Sequence, residues 1–329
     1  MGINQIYTAQ IDSRNVSQSY VIDSWNQWPC IWISSGIHGN EHFWVRVTSD
    51  FLEKIKSWNL KLLRWEVALI LAGNEEALFQ SERFLQDDLN RVVNAVLKEE
   101  IRDNYEQRRW REIKTLIDTF EPESWLDLHS FSAPKWEPYM FSWLKGYEVG
   151  KWIWVQNMAV NMANANKNPT WIPSWQWVAD YVNFIGSNWF TFEAGNHTDP
   201  QCYINTYQAL INFLVSHDML SPLQVGKNGS NTLLIPSDGI IKIGKPWESQ
   251  HVHIEEKHIF TGRFDYIGEH PESFKQYKAW EIIWYDIYPD GRKEELIAPF
   301  NGYIVLPKDP NICIVWKEVF YYGKAMSEI

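Results

Sequence analysis

Short apolar runs alternate with longer amphipathic segments over the first part of the chain. The runs "PCIWISS", "EVALILAG" and "SWLDLHS" end in small or polar residues, as buried strands do. The segments between them repeat their apolar residues with helical spacing. This pattern predicts helices over residues 41–57, 92–119, 146–165 and 200–219. Strands that alternate with helices are typical of an α/β fold.

The pattern changes after the polar segment "GKNGSN". From Thr232 onward the runs are shorter and alternate between apolar and polar residues, as in "HVHIEE", "EIIWYDIY" and "ICIVWKEVFYYG". Gly, Pro and Asp separate them, which is typical of antiparallel strands. We therefore predict two domains, an α/β domain over residues 1–225 and a second, smaller all-β domain over residues 232–329.

An excess of acidic side chains limits the partners. The 329-residue chain has 41 Asp and Glu against 30 Lys and Arg, a formal net charge of −11, which argues against nucleic acid. Cys30, Cys202 and Cys313 lie far apart, so a disulfide framework or a thiolate zinc site is not expected. No signal peptide is recognisable and no apolar stretch approaches the ~18 residues of a membrane span. We expect a cytoplasmic protein without a membrane partner.

Histidine and carboxylate side chains occur where the predicted strands end. His38 and Glu41 follow the apolar run 31–33, and His129 lies in "DLHS". Ligands bind at the carboxyl ends of strands in open α/β sheets, and two histidines with one carboxylate leave a position open on a catalytic zinc. A single His-x-x-Glu pair also arises by chance on solvated surfaces. Asp127 either orients the His129 imidazole by a hydrogen bond or is a strand-end carboxylate without a role.

Two further segments carry groups that suit hydrolysis. Glu193 follows the apolar run "WFTF", where a carboxylate can act as general base on a water. The polar stretch "NEEALFQSERFLQDDLNR" contains Arg83, Asn90 and Arg91. Guanidinium groups fixed near a zinc site can polarise a carbonyl and hold a carboxylate through two hydrogen bonds.

Four ordered motifs resemble those of the succinylglutamate desuccinylase and aspartoacylase family, relatives of the zinc carboxypeptidases. They are "GIHGNE", "GNEEALFQSERFLQDDLNR", "DLHS" and "FEAGNH", in the family's order and at its approximate spacing. The resemblance covers residues 28–220 approximately, and the β-rich tail fits the family's second domain more loosely. It implies a zinc-carboxypeptidase-like mixed sheet flanked by helices, in a zinc-hydrolase catalytic domain over residues 1–225.

The resemblance also implies a role for each motif residue. The implied ligands of one Zn²⁺ per chain are His38, Glu41 and His129. Glu193 matches the general base, and Arg83 matches the arginine that stabilises the oxyanion. Asn90 and Arg91 match the pair that receives a substrate carboxylate.

The chain departs from the family in its arginines. Aspartoacylase carries a further arginine, between the metal histidine and the catalytic glutamate, that contacts the acidic side chain of its substrate. Here no arginine occurs between Arg111 and Arg263. A dicarboxylate specificity is therefore left open.

Tryptophan is unusually frequent, with 20 Trp against 17 Gly. Several stand where relatives tend to have glycine: Trp28, Trp44, Trp65, Trp171 and Trp316. An indole cannot replace a residue chosen for positive φ or close backbone approach without steric cost. Two explanations stay open. Either the source organism reads UGA as glycine and the translation used tryptophan, or the chain is a tryptophan-rich homologue.

We therefore predict a zinc-dependent amidohydrolase that cleaves the amide bond of a small-molecule N-acyl amino acid. One alternative is a zinc carboxypeptidase, in which Asn90 and Arg91 would hold the C-terminus of a peptide. Another is a noncatalytic binding protein that kept the fold. Assembly into a homo-oligomer is left open by the sequence.

Overall fold

The computed structural model describes most of residues 1–225 and much of the tail. The described residues are 5–8, 19–23, 30–57, 60, 62–63, 66–93, 104–131, 138–143, 146–147, 157–161, 178, 181–182, 185–220, 250–259, 263–266, 271–288, 290–305, 307 and 318–328.

Strands and helices alternate up to residue 216. The strands of this part are β1 Gln5–Thr8, β2 Ser19–Asp23, β3 Cys30–Ser34, β4 Glu66–Ile70, β5 Ser124–Phe131, β6 Tyr139–Trp143, β7 Asn157–Asn161 and β8 Asn188–Asn196. The helices are α1 His42–Lys56, α2 Glu75–Gln80, a 3₁₀ turn Leu89–Arg91, α3 Tyr105–Phe120 and α4 Gln201–Ser216. The tail contains β9 Gln250–Ile259, β10 Arg263–Tyr266, β11 Gln276–Tyr277, β12 Ile282–Ile287, β13 Lys293–Ile297, β14 Gly302–Val305, β15 Glu318–Ala325 and a final 3₁₀ turn Met326–Glu328.

Two of the four predicted helices are confirmed, α1 and α4. A single helix over 92–119 is wrong, because Asn104 is extended, with φ −103° and ψ 167°, and caps α3 by accepting from the Gln107 N–H at 2.9 Å. Residues 94–103 lie outside the described part. Among the described residues, no helix has both the length and the apolar character needed to cross a membrane.

The predicted helix over 146–165 is wrong over residues 157–161, which form β7. Met158, Ala159 and Val160 are all buried, and β7 pairs with both β6 and β9. A strand covered on both faces has no alternation between apolar and polar residues, so a short apolar run of this kind resembles a buried helix in sequence.

A mixed sheet forms the centre of the fold, as the sequence predicts. Its order over the described strands is β1-β2-β4-β3-β5-β8-β6-β7-β9-β15-β14-β11. The neighbours β4, β3, β5 and β8 run parallel, and β6 runs antiparallel to β8. The carboxyl ends of β3, β5 and β8 therefore meet at one edge, together with the start of β6.

The tail is rich in antiparallel β structure, but part of it continues the main sheet. β9 pairs in parallel with β7, and β15, β14 and β11 follow as antiparallel neighbours. A separate three-stranded sheet contains β10, β12 and β13. The predicted boundary between residues 225 and 232 lies outside the described part and stays a prediction.

Alternate residues of the central strands face two different layers. One face of β3, β5 and β8 packs against α1 and α4 through a set of apolar side chains: Ile31, Ile33, Leu126, Leu128, Phe190 and Phe192. The other face packs against α3, where Trp32 and Trp125 meet Trp110 and Ile113. Because strand residues two apart share a face, Asp127 and His129 follow Trp125 on the α3 side of the sheet.

Candidate metal centre

The turn after β3 brings His38 and Glu41 together. Gly36 has φ +66°, a conformation that favours glycine. A Cβ at Gly39 would lie 2.1 Å from the carbonyl carbon of Ala77, so only glycine lets the turn pack this closely on α2. The Glu41 N–H donates to the His38 carbonyl at 3.3 Å, which closes the turn. Both side chains are consequently buried at the sheet edge.

His129, at the end of β5, meets these two side chains. His38 Nδ1 lies 2.7 Å from Glu41 Oε1, and His129 Nδ1 lies 3.4 Å from Glu41 Oε2. The three side chains are 2–3% exposed, and one ligand atom from each lies within 4.8 Å of the others. The structure thus brings together the three residues that the sequence suggests as metal ligands.

A carboxylate holds the far nitrogen of each imidazole. Asp127 Oδ2 lies 2.8 Å from His129 Nε2, and Asp88 Oδ1 lies 3.3 Å from His38 Nε2. We assign the Nε2 protons from these partners, which leaves each Nδ1 lone pair directed at the cluster. Carboxylates fix metal-binding histidines in this way in many metalloproteins.

Of these two carboxylates, only Asp127 was predicted from the sequence to orient an imidazole, and Asp88 was not. Asp127 contacts the His129 imidazole, which agrees with the first of the two interpretations given above. Ser34 Oγ donates to Asp127 Oδ1 at 2.6 Å. Trp125 Nε1 in turn donates to Ser34 Oγ at 2.6 Å. Asp88 is separated from His38 by 50 residues, and its only signal was the second Asp of "DDLNR".

Charge around the cluster shifts the pKa of its members. Burial by itself would raise the pKa of Glu41, but the His38 and His129 imidazoles hold it well below its ordinary value. Burial opposes the charged form of His129, yet Asp127 and Glu41 raise its pKa well above the ordinary value. Glu41 and His129 thus stabilise each other's charged forms in this buried cluster.

Arg83 lies beside the ligands on the segment after α2. Its Nε donates to Asp88 Oδ2 at 3.2 Å, and its Nη1 lies 3.9 Å from Glu41 Oε1. The side chain is 45% exposed, so one side contacts the cluster and the other faces solvent. Burial would raise the pKa of Asp88, but the hydrogen bond and charge of His38, followed by the charges of Arg83 and Arg91, hold it well below the ordinary value.

Asn90 and Arg91 form the 3₁₀ turn that Asp88 caps. The Asn90 N–H donates to Asp88 Oδ1 at 3.0 Å, and Asn90 Oδ1 accepts from the Val178 N–H at 3.1 Å. Arg91 donates to the Asn90 carbonyl at 3.3 Å. Both residues are partly exposed and continue the segment that carries Arg83.

Glu193 lies in register with His129. The two are paired residues on β5 and β8, and Glu193 is also paired with Tyr139 on β6, so all three side chains lie on one face in adjacent strands. Glu193 Oε2 is buried and has no hydrogen-bond partner in the described part of the chain. Burial raises the pKa of Glu193 to about 7, with the His129 charge opposing and the Glu41 charge adding to the shift.

The donor set fits zinc better than a hard cation. Two imidazole nitrogens and one carboxylate oxygen are ligands that zinc takes, whereas Ca²⁺ and Mg²⁺ prefer sites made only of oxygen. Three protein ligands would leave a coordination position for water or substrate. Glu193 is paired in register with His129, and Arg83 Nη1 lies 3.9 Å from Glu41 Oε1, so both are next to residues that would supply those ligands.

Comparison with known sequences agrees with this geometry. The profile of the succinylglutamate desuccinylase/aspartoacylase catalytic domain matches residues 27–134, which include all three candidate ligands. Residues 27–134 are thus similar to the catalytic domain of that family. A succinylglutamate desuccinylase from Pseudomonas paraeruginosa is 34% identical over 88 residues, covering 27% of this chain and 25% of the relative. A succinylglutamate desuccinylase from Pseudomonas aeruginosa is 29% identical over 123 residues, covering 35% of this chain and 36% of the relative. The match thus spans only about a quarter to a third of these desuccinylases.

Solved structures extend the likeness in fold to nearly the whole chain. A succinylglutamate desuccinylase/aspartoacylase from Rhodobacter sphaeroides has a TM-score of 0.65 at 12% identity, covering 93% of this chain and 88% of that one. The succinylglutamate desuccinylase of Vibrio cholerae has a TM-score of 0.65 at 14% identity, covering 98% of this chain and 91% of that one. An ectoine utilization protein from Ruegeria pomeroyi has a TM-score of 0.65 at 12% identity, covering 99% of this chain and 98% of that one. The desuccinylase/aspartoacylase fold therefore includes the β-rich tail.

Proposed function

We propose that this protein is a zinc-dependent hydrolase that cleaves the amide bond of a small N-acyl amino acid. The observation that carries the proposal is the buried group of His38, Glu41 and His129, with Glu193 in register beside it. The family of the catalytic segment contains enzymes that remove acyl groups, which supports a deacylase.

The side chains of the site suggest how the reaction would proceed. Zinc bound there would supply a Lewis acid and lower the pKa of a coordinated water to about 7. Glu193 would take a proton from the attacking water and return it to the nitrogen of the leaving amine. Arg83, which Asp88 holds beside Glu41, would donate hydrogen bonds to the carbonyl oxygen as negative charge develops on it.

Asn90 and Arg91 are proposed to bind the carboxylate of the amino acid. They follow Asp88 on the same short turn, so the segment that positions Arg83 also positions them. A guanidinium beside a side-chain amide suits a carboxylate, which accepts from both. The partner would therefore be a small molecule with a free carboxylate next to the amide.

The Glu193→Gln variant tests the proposal. Glutamine keeps the volume of the side chain but cannot take a proton, so hydrolysis should fall by roughly 10²- to 10⁴-fold. Zinc content should stay at about one ion per chain, because Glu193 is not one of the proposed ligands. Turnover and metal content are measured on the same zinc-loaded preparation, against N-acyl amino acids with neutral and acidic acyl groups and against a dipeptide.

Exposed Glu53 supplies the control, since Glu53→Gln removes a carboxylate whose partner in the structure is Lys56 on the same helix. This control should match the parent in rate and in zinc content. A Glu193→Gln protein that hydrolyses its substrate at the parent's rate would remove Glu193 from the reaction. Cleavage of the dipeptide in preference to every N-acyl amino acid would favour a carboxypeptidase.

A further inference from the structure

A buried carboxylate outside the proposed reaction contacts the segment that carries Arg83. Glu106, in the first turn of α3, is fully buried. Its Oε1 accepts from the backbone N–H of Leu85 at 2.7 Å and of Gln86 at 3.4 Å, and its Oε2 accepts from the N–H of Asp87 at 3.4 Å. One carboxylate therefore satisfies three consecutive backbone donors of a segment that has no helix or strand to satisfy them.

Those donors immediately precede Asp88. Asp88 contacts His38 Nε2 through one oxygen and Arg83 Nε through the other. A shift of residues 85–87 would move the Asp88 carboxylate away from both partners at once. Glu106 therefore influences, through Asp88, the positions of the candidate ligand His38 and of Arg83, the proposed oxyanion donor.

Glu106 is also connected to the turn that carries His38. Asn74 Nδ2 donates to Glu106 Oε1 at 3.5 Å, and the Asn74 N–H donates to the Gly36 carbonyl at 2.7 Å. A second link between the two segments is direct, since the Gly39 N–H donates to the Arg83 carbonyl at 3.2 Å. Glu106 therefore lies at the junction of the two segments that bring His38 and Arg83 together.

The first turn of α3 is fixed from several sides. Asn104 caps the helix and its amide also donates to Asp87. Arg109, one turn further on, donates to the Gly73 carbonyl at 2.8 Å. A carboxylate near a helix N-terminus is favoured by the helix dipole, so charge at position 106 costs little there.

We propose that Glu106 is a positioning residue for the metal centre, which acts by holding residues 85–87 and, through them, Asp88 against His38 and Arg83. This inference rests on the proposed zinc function. A glutamine at this position would offer one acceptor oxygen and an NH₂ group, which would face backbone donors instead of accepting from them. The 85–87 segment would then lose part of its attachment although the core of the fold is unchanged.

The test compares Glu106→Gln with Asp118→Asn in the full-length protein. Asp118 lies on the same helix, pairs with Lys114 and accepts a hydrogen bond from the Tyr181 hydroxyl. Neither partner belongs to the two segments of the site, so its variant controls for loss of a carboxylate on α3. Hydrogen exchange followed by mass spectrometry reports the protection of residues 85–87. Competition with a chromophoric chelator gives the zinc dissociation constant and requires no substrate. Thermal unfolding reports global stability.

We expect Glu106→Gln to exchange faster at residues 85–87 and to bind zinc roughly tenfold more weakly, with Asp118→Asn equal to the parent in both. Glu106→Asp keeps the charge with a shorter reach, so its zinc affinity should lie between the two, and it serves as the second variant if glutamine prevents folding. Unchanged exchange, or unchanged zinc affinity in both Glu106 variants, overturns the inference.

A double variant distinguishes positioning from general destabilisation. If Glu106 acts through Asp88, then Glu106→Gln combined with Asp88→Asn should bind zinc within about twofold of Asp88→Asn by itself. Losses that multiply in the double variant would overturn the proposed route. A parent protein that binds no zinc would overturn the proposed function, and the inference with it. A parent that binds zinc as tightly as Glu106→Gln overturns the inference alone.

Discussion

Ser34, Asp127 and His129 form a hydrogen-bonded chain in which each group fixes the orientation of the next. Ser34 Oγ accepts a hydrogen bond from the Trp125 indole N–H and donates one to Asp127 Oδ1, so the other carboxylate oxygen faces His129 Nε2. The chain thereby determines which imidazole nitrogen carries the proton. Metal binding at Nδ1 requires this tautomer.

The Asp127→Asn variant should bind zinc about 10- to 100-fold more weakly than the parent. Ser34 would keep donating to the amide oxygen, so the amide NH₂ would face His129 Nε2 and force the proton onto Nδ1. Chelator competition measures the effect. Ser34→Ala in the Asp127→Asn background should restore part of the affinity, because the amide is then free to turn. Equal affinity of Asp127→Asn and the parent would contradict this assignment.

Trp280 has a backbone conformation that suits glycine. Its φ is +73°, its side chain is 79% exposed, and its N–H donates to the Ala298 carbonyl at 2.9 Å. A bulky side chain gains little from such a position and carries a steric cost. This observation agrees with glycine at position 280, as codon reassignment would predict.

Trp280→Gly should therefore increase the free energy of unfolding by about 0.5–1 kcal/mol, despite the extra backbone freedom of glycine when unfolded. Urea unfolding of purified protein measures the change. Trp280→Ala is the matched control, since it removes the indole but keeps a Cβ, and it should gain less than the glycine variant. A glycine variant less stable than the alanine variant would show that the positive φ is not strained.

Among the elements, those with an apolar run between breakers could be predicted, whereas those specified by distant contacts could not. β3, β5 and β8 are confirmed, and their strand ends place His38, His129 and Glu193 at one edge. β7 could not be predicted because both of its faces are covered by elements distant in sequence, with Met158 in one apolar cluster and Ala159 in the other. Asp88 and Glu106 could not be identified from the sequence for the same reason, because the hydrogen-bond partners that give each its role are well separated from it in sequence.

The C-terminal end of α4 carries a buried histidine. Burial lowers the pKa of His217 to about 4, and the Phe213 carbonyl and the charge of Asp218 oppose the shift only in part. The unfolded chain binds a proton to this imidazole near its ordinary pKa of about 6.5, whereas the folded chain does not. The contribution of the neutral His217 imidazole to the free energy of unfolding should therefore be fully present above about pH 6.5. It should fall as the pH decreases towards 4.

The loss attributable to His217 should reach up to about 3 kcal/mol across that interval. Urea unfolding at a series of pH values, compared between the parent and His217→Gln, measures it as a shallower slope in the variant. His42→Gln provides the control, since His42 is exposed at the start of α1, and it should keep the parent's slope. Parallel curves for the parent and His217→Gln would refute the assignment.

At the scale of the whole molecule, the tail is joined to the N-terminal α/β part by strand pairing. β9 covers the edge of β7, and Val252, Ile254 and Tyr321 from the tail belong to the same apolar cluster as Trp125. The two predicted domains therefore share a sheet and part of a core. Removing the tail would expose a strand edge and apolar side chains together.

A protein that ends at residue 220 should accordingly aggregate or unfold, and should not persist as an independent zinc-binding domain. Size-exclusion chromatography and circular dichroism of the truncated and full-length proteins give the comparison. Co-expression of the missing segment, residues 221–329, should recover part of the soluble protein, because the β7 edge can then be paired. A monomeric truncated protein with the parent's thermal transition would show that the shared sheet is dispensable.

The row of His129, Glu193 and Tyr139 across three adjacent strands has a consequence for how this protein could diversify. Neighbouring strands lie about 4.8 Å apart, and main-chain hydrogen bonds maintain that spacing whatever the side chains are. The distance between the proposed base and a metal ligand is thus set by the backbone of β5 and β8. Segments beyond the strand ends can change length and sequence without altering it. Descendants of this chain could therefore acquire new substrates while inheriting the same reacting geometry unchanged.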